Sequence, residues 1–207
     1  MLQRFFFCIP LVSLLVLPQL GFANHSLINQ TRSSMGSDVY VTQAIVGEYG
    51  PMTKKSPGEG SVGQEQLWQG FGIQNSLGVE TSKFVQVGVS HAYTQLKRKG
   101  DSLENLSGSR LSLDLRLEFN SPIVNLELGG GALASSYVYR YRVGEARFAG
   151  SGKYYLIGMT RFLTSRVSVF ARGQENHENL TRSSGSPDFD QLLGNTRGIS
   201  FGVNLWL

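Results

Sequence analysis

From Arg110 the chain reads Arg-Leu-Ser-Leu-Asp-Leu-Arg-Leu-Glu-Phe, so Leu111, Leu113, Leu115, Leu117 and Phe119 share one parity and Ser112, Asp114, Arg116 and Glu118 the other. Such alternation places the two sets on opposite faces of an extended strand. The last segment repeats it, with Ile199, Phe201, Val203, Leu205 and Leu207 set against Gly198, Ser200, Gly202, Asn204 and Trp206. Val85, Val87 and Val89 alternate in the same way with Gln86, Gly88 and Ser90. Read throughout, the pattern predicts eight strands, over 38–49, 66–80, 83–97, 109–120, 123–141, 151–164, 167–182 and 194–207. Three connections, 80–83, 120–123 and 164–167, are tight hairpins, and four, 50–65, 98–108, 142–150 and 183–193, are long polar loops. In an up-and-down order the tight turns and both termini share one end and the loops the other. Segments 38–49 and 151–164 are readable in either register, since Arg161 prefers a lumen and Met159 lipid, and Asn75 falls on the apolar parity of its strand; a bulge would account for each.

Before these strands, Arg4 precedes a nearly unbroken apolar run over 5–17 that closes on Gly21-Phe22-Ala23. This is the form of a secretory signal peptide over 1–23, and the run is shorter than the ~20 residues of a membrane-spanning helix. Cleavage would remove Cys8, the one cysteine of the 207 residues, and leave a chain that enters an oxidising compartment with neither disulfide nor thiolate metal site. Residues 24–37 form a periplasmic extension in this scheme, and 38–207 the strand domain.

No later stretch offers ~18 consecutive apolar residues, so a membrane helix is not expected. A closed sheet of strands remains, because every backbone polar group in hydrocarbon needs an internal partner and an even up-and-down strand count closes. The alternating connection lengths match a transmembrane barrel with short periplasmic turns and long extracellular loops. The rival is a soluble lipocalin-like barrel with the apolar parity inside. Composition adds little: 41 % hydrophobic and 16 % charged residues, 25 glycines and a net charge of +4 describe a folded, glycine-rich chain. The basic residues are scattered among acids, which argues against nucleic acid as a partner.

The alternation, the four-loop and three-turn rhythm, the run Gly129-Gly130-Gly131 and the closing Gly-Ile-Ser-Phe-Gly-Val-Asn-Leu-Trp-Leu resemble the small outer-membrane barrel family of the OmpA transmembrane domain, OmpX and Ail. The resemblance covers about 38–207. It implies an all-β, eight-stranded antiparallel up-and-down transmembrane barrel that is monomeric, sits in the bacterial outer membrane and is inserted by the barrel-assembly machinery. Such proteins usually end on an aromatic residue, whereas here Trp206 is penultimate and Leu207 last. Unlike full-length OmpA, the chain is expected to be a bare barrel without a peptidoglycan-binding domain.

An eight-stranded barrel is just wide enough for its inward side chains to fill it. Asp114, Arg116, Glu118, Glu127, Arg172 and Gln174 lie mid-strand on the polar parity and are expected to form a lumen network of paired charges, with a narrow gated pore as the alternative. Some small barrels of this kind, such as PagL and PagP, modify lipid A, and a Ser-His-acid arrangement would be needed for that. The histidines after the leader are His25, His91 and His177. Ser90 and His91 are adjacent in a strand and so face opposite ways, and neither His91 nor His177 begins a His-x-Ser motif. A non-enzymatic role without cofactor or metal is therefore expected. Lys54, Lys55, Lys97, Arg98, Lys99, Arg140 and Arg142 gather at the loop end, where they could pair with lipopolysaccharide phosphates. Tyr93, Tyr137, Tyr139 and Tyr141 are expected in an upper aromatic girdle, with Phe119 and Phe162 in a lower one. These features together point to a structural or surface-interaction role, with loops contacting lipopolysaccharide, host molecules or phage.

Overall fold

The computed structural model describes residues 39–56, 64–101, 103–121 and 123–207; the expected signal peptide and periplasmic extension lie outside them. Eight strands, β1 Val39–Lys55, β2 Gln64–Ser82, β3 Val85–Arg98, β4 Asn105–Phe119, β5 Asn125–Tyr141, β6 Gly144–Phe162, β7 Val167–Ser184 and β8 Gln191–Trp206, follow one another around a closed antiparallel barrel. Closure is made by β1 against β8, in a register that runs from Tyr40 opposite Trp206 to Lys55 opposite Gln191. The first and last strands thus begin and end at one end of the barrel, here called the lower end, together with the β2–β3, β4–β5 and β6–β7 turns.

In the lower half, the alternation found in the sequence puts the apolar parity outside. Ile45, Leu113, Ile157 and Phe201 are 67 %, 64 %, 65 % and 59 % exposed, while Asp114, Arg116 and Glu127 are buried inside. On β4 the outward apolar run from Leu111 to Phe119 spans about 20–25 Å along the barrel axis at ordinary strand rise and tilt, the height of an apolar band in a transmembrane barrel. A lipocalin-like barrel would bury this parity, so that reading is overturned. The two ambiguous segments are settled without a bulge within them: Tyr154 and Leu156 face in, Tyr155, Ile157 and Met159 face out, and Arg161 keeps the outward parity at the lower end of β6. Asn75 does face out, where the register sets it beside Gln43 and His91 in one polar rung across β1, β2 and β3.

The strands are 14–19 residues long, well beyond the ~9–11 that cross hydrocarbon. Most of the expected long loops are accordingly strand. The connections above β1, β3, β5 and β7 shrink to 56–63, 99–104, 142–143 and 185–190. The reason is that polarity reverses with height. Residues 144–150, expected as a loop, form the start of β6 with Ala146 and Phe148 buried inside and Glu145 and Arg147 exposed outside. Above the apolar band the outer wall meets water, so the apolar parity moves inward and the period of two persists with its phase inverted.

The same inversion corrects the aromatic girdle. Tyr137 and Tyr139 are 1 % and 2 % exposed and Phe162 is 2 % exposed, all facing the lumen, and Tyr141 packs against the interior cluster. The outward aromatics at the upper edge of the band are Tyr49, Phe71, Tyr93 and Tyr155, while Phe119 faces out near the lower edge. Gly131 shows how closely the wall fits together: a Cβ there would lie 1.9 Å from the Leu113 carbonyl oxygen, so glycine is what lets β5 pass β4 at this point, with the Tyr154 ring packed over it.

The closing seam is directly testable above the band. Thr53 of β1 is opposite Leu193 of β8, so the pair Thr53→Cys and Leu193→Cys is expected to oxidise to an intrachain disulfide. The offset pair Thr53→Cys and Asn195→Cys, about 7–8 Å apart at its Cα atoms, is expected not to. Non-reducing gels of the unheated protein read the difference, and an equal yield from both pairs would contradict the register.

Candidate functional site: a sealed lumen and its mouth

The lumen is built in layers, each supplied by inward positions of several strands. At the lower end Tyr40, Phe162 and Trp206 form an aromatic floor, with ring centroids of Tyr40 and Trp206 4.8 Å apart and of Phe162 and Trp206 5.6 Å apart. The Trp206 indole donates to Ser168 Oγ at 3.2 Å, so the penultimate tryptophan faces inward while Leu207 is exposed. Above the floor, Glu118 accepts hydrogen bonds from the side-chain amides of Gln86 and Asn125.

Two ion pairs come next. Arg172 Nε donates to Glu127 Oε2 at 2.5 Å, and its guanidinium lies 3.7 Å from the Phe170 ring centre; Thr160 also donates to Glu127. Arg116 Nη2 donates to Asp114 Oδ2 at 3.0 Å, and the same carboxylate accepts from Ser90, Ser112 and Tyr154. Carboxylates taken out of bulk water need this number of partners to remain ionised. The structure therefore turns all six expected network residues toward the lumen, as two separate ion pairs, a Glu118 held by amides, and Gln174, which donates to Asn176 Oδ1 at 3.1 Å.

The best-connected cluster was not singled out from the sequence. Arg110 donates to both oxygens of Glu48, at 2.8 and 2.6 Å, and to both oxygens of Glu178, at 3.0 and 2.9 Å. Ser135 completes Glu178, and Asn176 and Thr196 complete Glu48. Planar guanidinium and carboxylate groups fit face to face in such double contacts, which fix orientation as well as charge. The available signal was parity: Glu48 follows Tyr40, Thr42, Ala44 and Val46 on the inward set of β1, and Glu178 follows Arg172, Gln174 and Asn176 on that of β7.

Above this cluster the interior becomes apolar. Met52, Trp68, Leu96, Leu106, Tyr137, Phe148, Leu180 and Leu192 are all 0–1 % exposed. The β7–β8 connection drops Phe189 into the mouth, stacked on Phe148 at 5.2 Å and edge-on to Tyr139 at 5.3 Å, while Arg182 Nη1 donates to the Pro187 carbonyl at 3.0 Å. Over this plug lies an open recess of about 590 Å³ lined by residues that include Lys54, Arg98, Asp101, Glu104, Tyr141, Arg142 and Asp188. Lys54 Nζ donates to Glu104 Oε2 at 2.8 Å and to Tyr139 Oη at 3.0 Å, and Arg98 Nη1 donates to Glu104 Oε1 at 3.0 Å.

The seven basic residues expected at the rim thus divide. Lys54 and Arg98 turn into the mouth and are ion-paired. Lys97, Lys99 and Arg142 are exposed, and Arg140 is exposed with its Nε 3.6 Å from Glu145; Lys55 is half-buried at the top of β1. His91 and His177 both face outward, away from the serines and carboxylates of the lumen, and His25 lies outside the described residues.

These layers define the class: a small eight-stranded barrel, apolar outside and polar inside across its band, of the kind found in outer membranes. Among solved structures the chain is similar to Neisserial surface protein A at 15 % identity, covering 82 % of this chain and 97 % of that one with a TM-score of 0.58. It is similar to the outer membrane protein OprG of Pseudomonas aeruginosa at 9 % identity, with 82 % and 96 % coverage and a TM-score of 0.57. The outer membrane protein AlkL, determined in lipid bilayers, matches at 9 % identity with 82 % and 90 % coverage and a TM-score of 0.50. No protein-family profile and no curated protein sequence matches the chain. At these identities the likeness is one of fold.

The Arg110 cluster yields a stability prediction. Arg110→Met would leave Glu48 and Glu178 buried without their counter-charge and is expected to destabilise the barrel by about 3–5 kcal/mol. The triple variant Glu48→Gln, Arg110→Met, Glu178→Gln removes the uncompensated charge and is expected to recover most of that loss. Urea unfolding in lipid vesicles, followed by tryptophan fluorescence, compares the two; a triple variant no more stable than the single one would show that charge pairing is not what the cluster contributes.

Proposed function

We propose that the protein is a non-enzymatic outer-membrane barrel whose work is done at its surface. The termini and short turns lie on the periplasmic side and the mouth faces outward. One observation carries the reading: the aromatic floor, the ion-paired layers and the apolar plug occupy the lumen from floor to mouth apart from a cavity of about 30 Å³ beside Arg110 and Tyr154, whereas the mouth and the projecting upper strands present charge and hydrogen-bonding groups. A filled lumen supports neither a wide channel nor a substrate passage. Both described histidines face outward, so among the described residues no imidazole stands beside the lumen serines, of which Ser90, Ser112 and Ser135 donate to the ion-paired Asp114 and Glu178, which supports a role without catalysis.

The outward cations at the upper end, with the upper aromatics below them, suit contact with the phosphates and acyl chains of lipopolysaccharide. The connections 56–63, 99–104 and 185–190 would meet host molecules or phage. In this scheme the barrel-assembly machinery inserts the protein as a monomer, and no cofactor takes part.

Three measurements test the proposal. In planar bilayers the purified protein is expected to give no discrete conductance steps, and regular steps would replace the sealed barrel with a gated pore. Replacing 57–62 by a short turn, together with substituting the exposed Ser186 and Asp188 by glycine, is expected to abolish adhesion of expressing bacteria to cultured epithelial cells, or adsorption of phage that use the protein. The heat-dependent shift in gel mobility of the outer-membrane fraction should persist. Binding that survives in a folded barrel would remove the loops from the function, and an unchanged lipid A mass spectrum on overexpression is expected if the protein has no lipid A-modifying activity.

A further inference from the structure

On the outer face of β6, β7 and β8 two depressions lie one above the other. The lower, of about 440 Å³, is centred on Gly173, with Ile157 of β6 and Ile199 of β8 as its walls and Tyr49 and Tyr155 above them. The strand register explains the shape, because Gly173 is opposite both Ile157 and Ile199 and the residue below it is Ala171. A Cβ on Gly173 would meet nothing closer than Ile157 at 4.0 Å, so the space in front of it is open.

The upper depression, of about 410 Å³, is lined on the outside by Ser151, Lys153, His177 and Asn179. Between the two runs a charged rung in which Glu175 is opposite both Arg197 and Tyr155. Arg197 is 66 % exposed and reaches Glu175 at 3.9 Å; His177 reaches it at 3.8 Å; Lys153 Nζ lies 5.8 Å from the Tyr155 ring centre. These are long contacts between exposed groups, so both permanent cations keep donors to offer a ligand.

An apolar slot one chain wide inside the band, with two cations and several neutral hydrogen-bonding groups directly above it, matches an amphiphile with an acyl chain below, a phosphate at the boundary and a hydroxyl-rich head. We propose that this face is a specific binding site for one lipid A molecule of lipopolysaccharide, with an acyl chain over Gly173 and a phosphate held by Arg197 and Lys153. The neutral groups Ser151 and Asn179 distinguish this head from that of a simple anionic phospholipid, since sugar hydroxyls and amides can use them. The site deepens the lipopolysaccharide contact proposed above and rests on the mouth facing the outer leaflet.

Native mass spectrometry of the purified full chain in detergent, titrated separately with lipid A and phosphatidylglycerol, tests it. Wild-type protein is expected to retain a single lipid A in preference to phosphatidylglycerol. Gly173→Leu, which puts a side chain into the slot from a Cβ that meets nothing closer than 4.0 Å, and the double variant Lys153→Gln, Arg197→Gln are each expected to weaken lipid A binding roughly tenfold. Leu113→Ala, on the outer face of β4, should leave it unchanged. Equal retention of the two lipids, unchanged binding in both variants, or a protein dimer that Gly173→Leu disrupts would overturn the proposal. The orientation is read separately from fractionation: a heat-shifting protein absent from the outer membrane would end the surface reading, while the titration alone decides the site.

Discussion

Every strand in this molecule has two neighbours, and the ring closes through β1 and β8. Within hydrocarbon a backbone N–H or C=O without a partner costs several kcal/mol, so the closed ladder is the condition for everything else. Once the ladder is complete, side-chain polarity is free to follow the solvent on each face at each height. β6 shows this within one strand: Tyr155, Ile157 and Met159 face out in its lower part with Gly158 and Thr160 inside, and further up Glu145 and Arg147 face out with Ala146 and Phe148 inside. The chain does not change conformation between these parts; the surroundings change.

That inversion also decides what could be read in advance. The membrane-level strands were legible because their outward residues are long and aliphatic and their inward ones polar, as on β4 from Leu111 down. The upper halves were not, because small, charged and glycine residues there resemble loops, and period two with reversed phase looks like a broken pattern. The tyrosines of β5 face inward for the same reason: aromatic residues near a membrane boundary ordinarily anchor there, but Tyr137 and Tyr139 lie where the interior is apolar. The lumen charges were legible in part. Asp114, Arg116, Glu118, Glu127 and Arg172 stand amid clear alternation, whereas Glu48 belongs to a strand of ambiguous register and Arg110 and Glu178 lie where the pattern begins to invert.

The charge at the mouth illustrates how a sequence grouping separates in space. Lys54 and Lys55 are adjacent, and so are Lys97, Arg98 and Lys99, yet successive residues of a strand face opposite ways. Lys54 and Arg98 therefore meet at Glu104 inside the mouth, while Lys97 faces out. Basic runs that look like one patch divide into an internal, neutralised set and an external set with a free surface. The outer cations best placed beside an apolar slot, Lys153 on β6 and Arg197 on β8, are set on either side of β7 by the register, opposite His177 and Glu175.

The interior ties add something that the ladder lacks. Ladder bonds join only adjacent strands, and a ring of such bonds is free to flatten. Arg110 on β4 grips Glu48 on β1 and Glu178 on β7, Tyr154 on β6 reaches Asp114 on β4, and Arg172 on β7 reaches Glu127 on β5; none of these pairs is adjacent in the sheet. Apolar filling alone would resist collapse but would tolerate many cross-sections, because dispersion contacts have little directional preference. Double guanidinium–carboxylate contacts set distance and angle together, at a desolvation cost that limits their net contribution to stability. Their value here is geometric. They hold the barrel's cross-section and, with it, the spacing of the outer walls on which the slot over Gly173 and the projecting mouth depend.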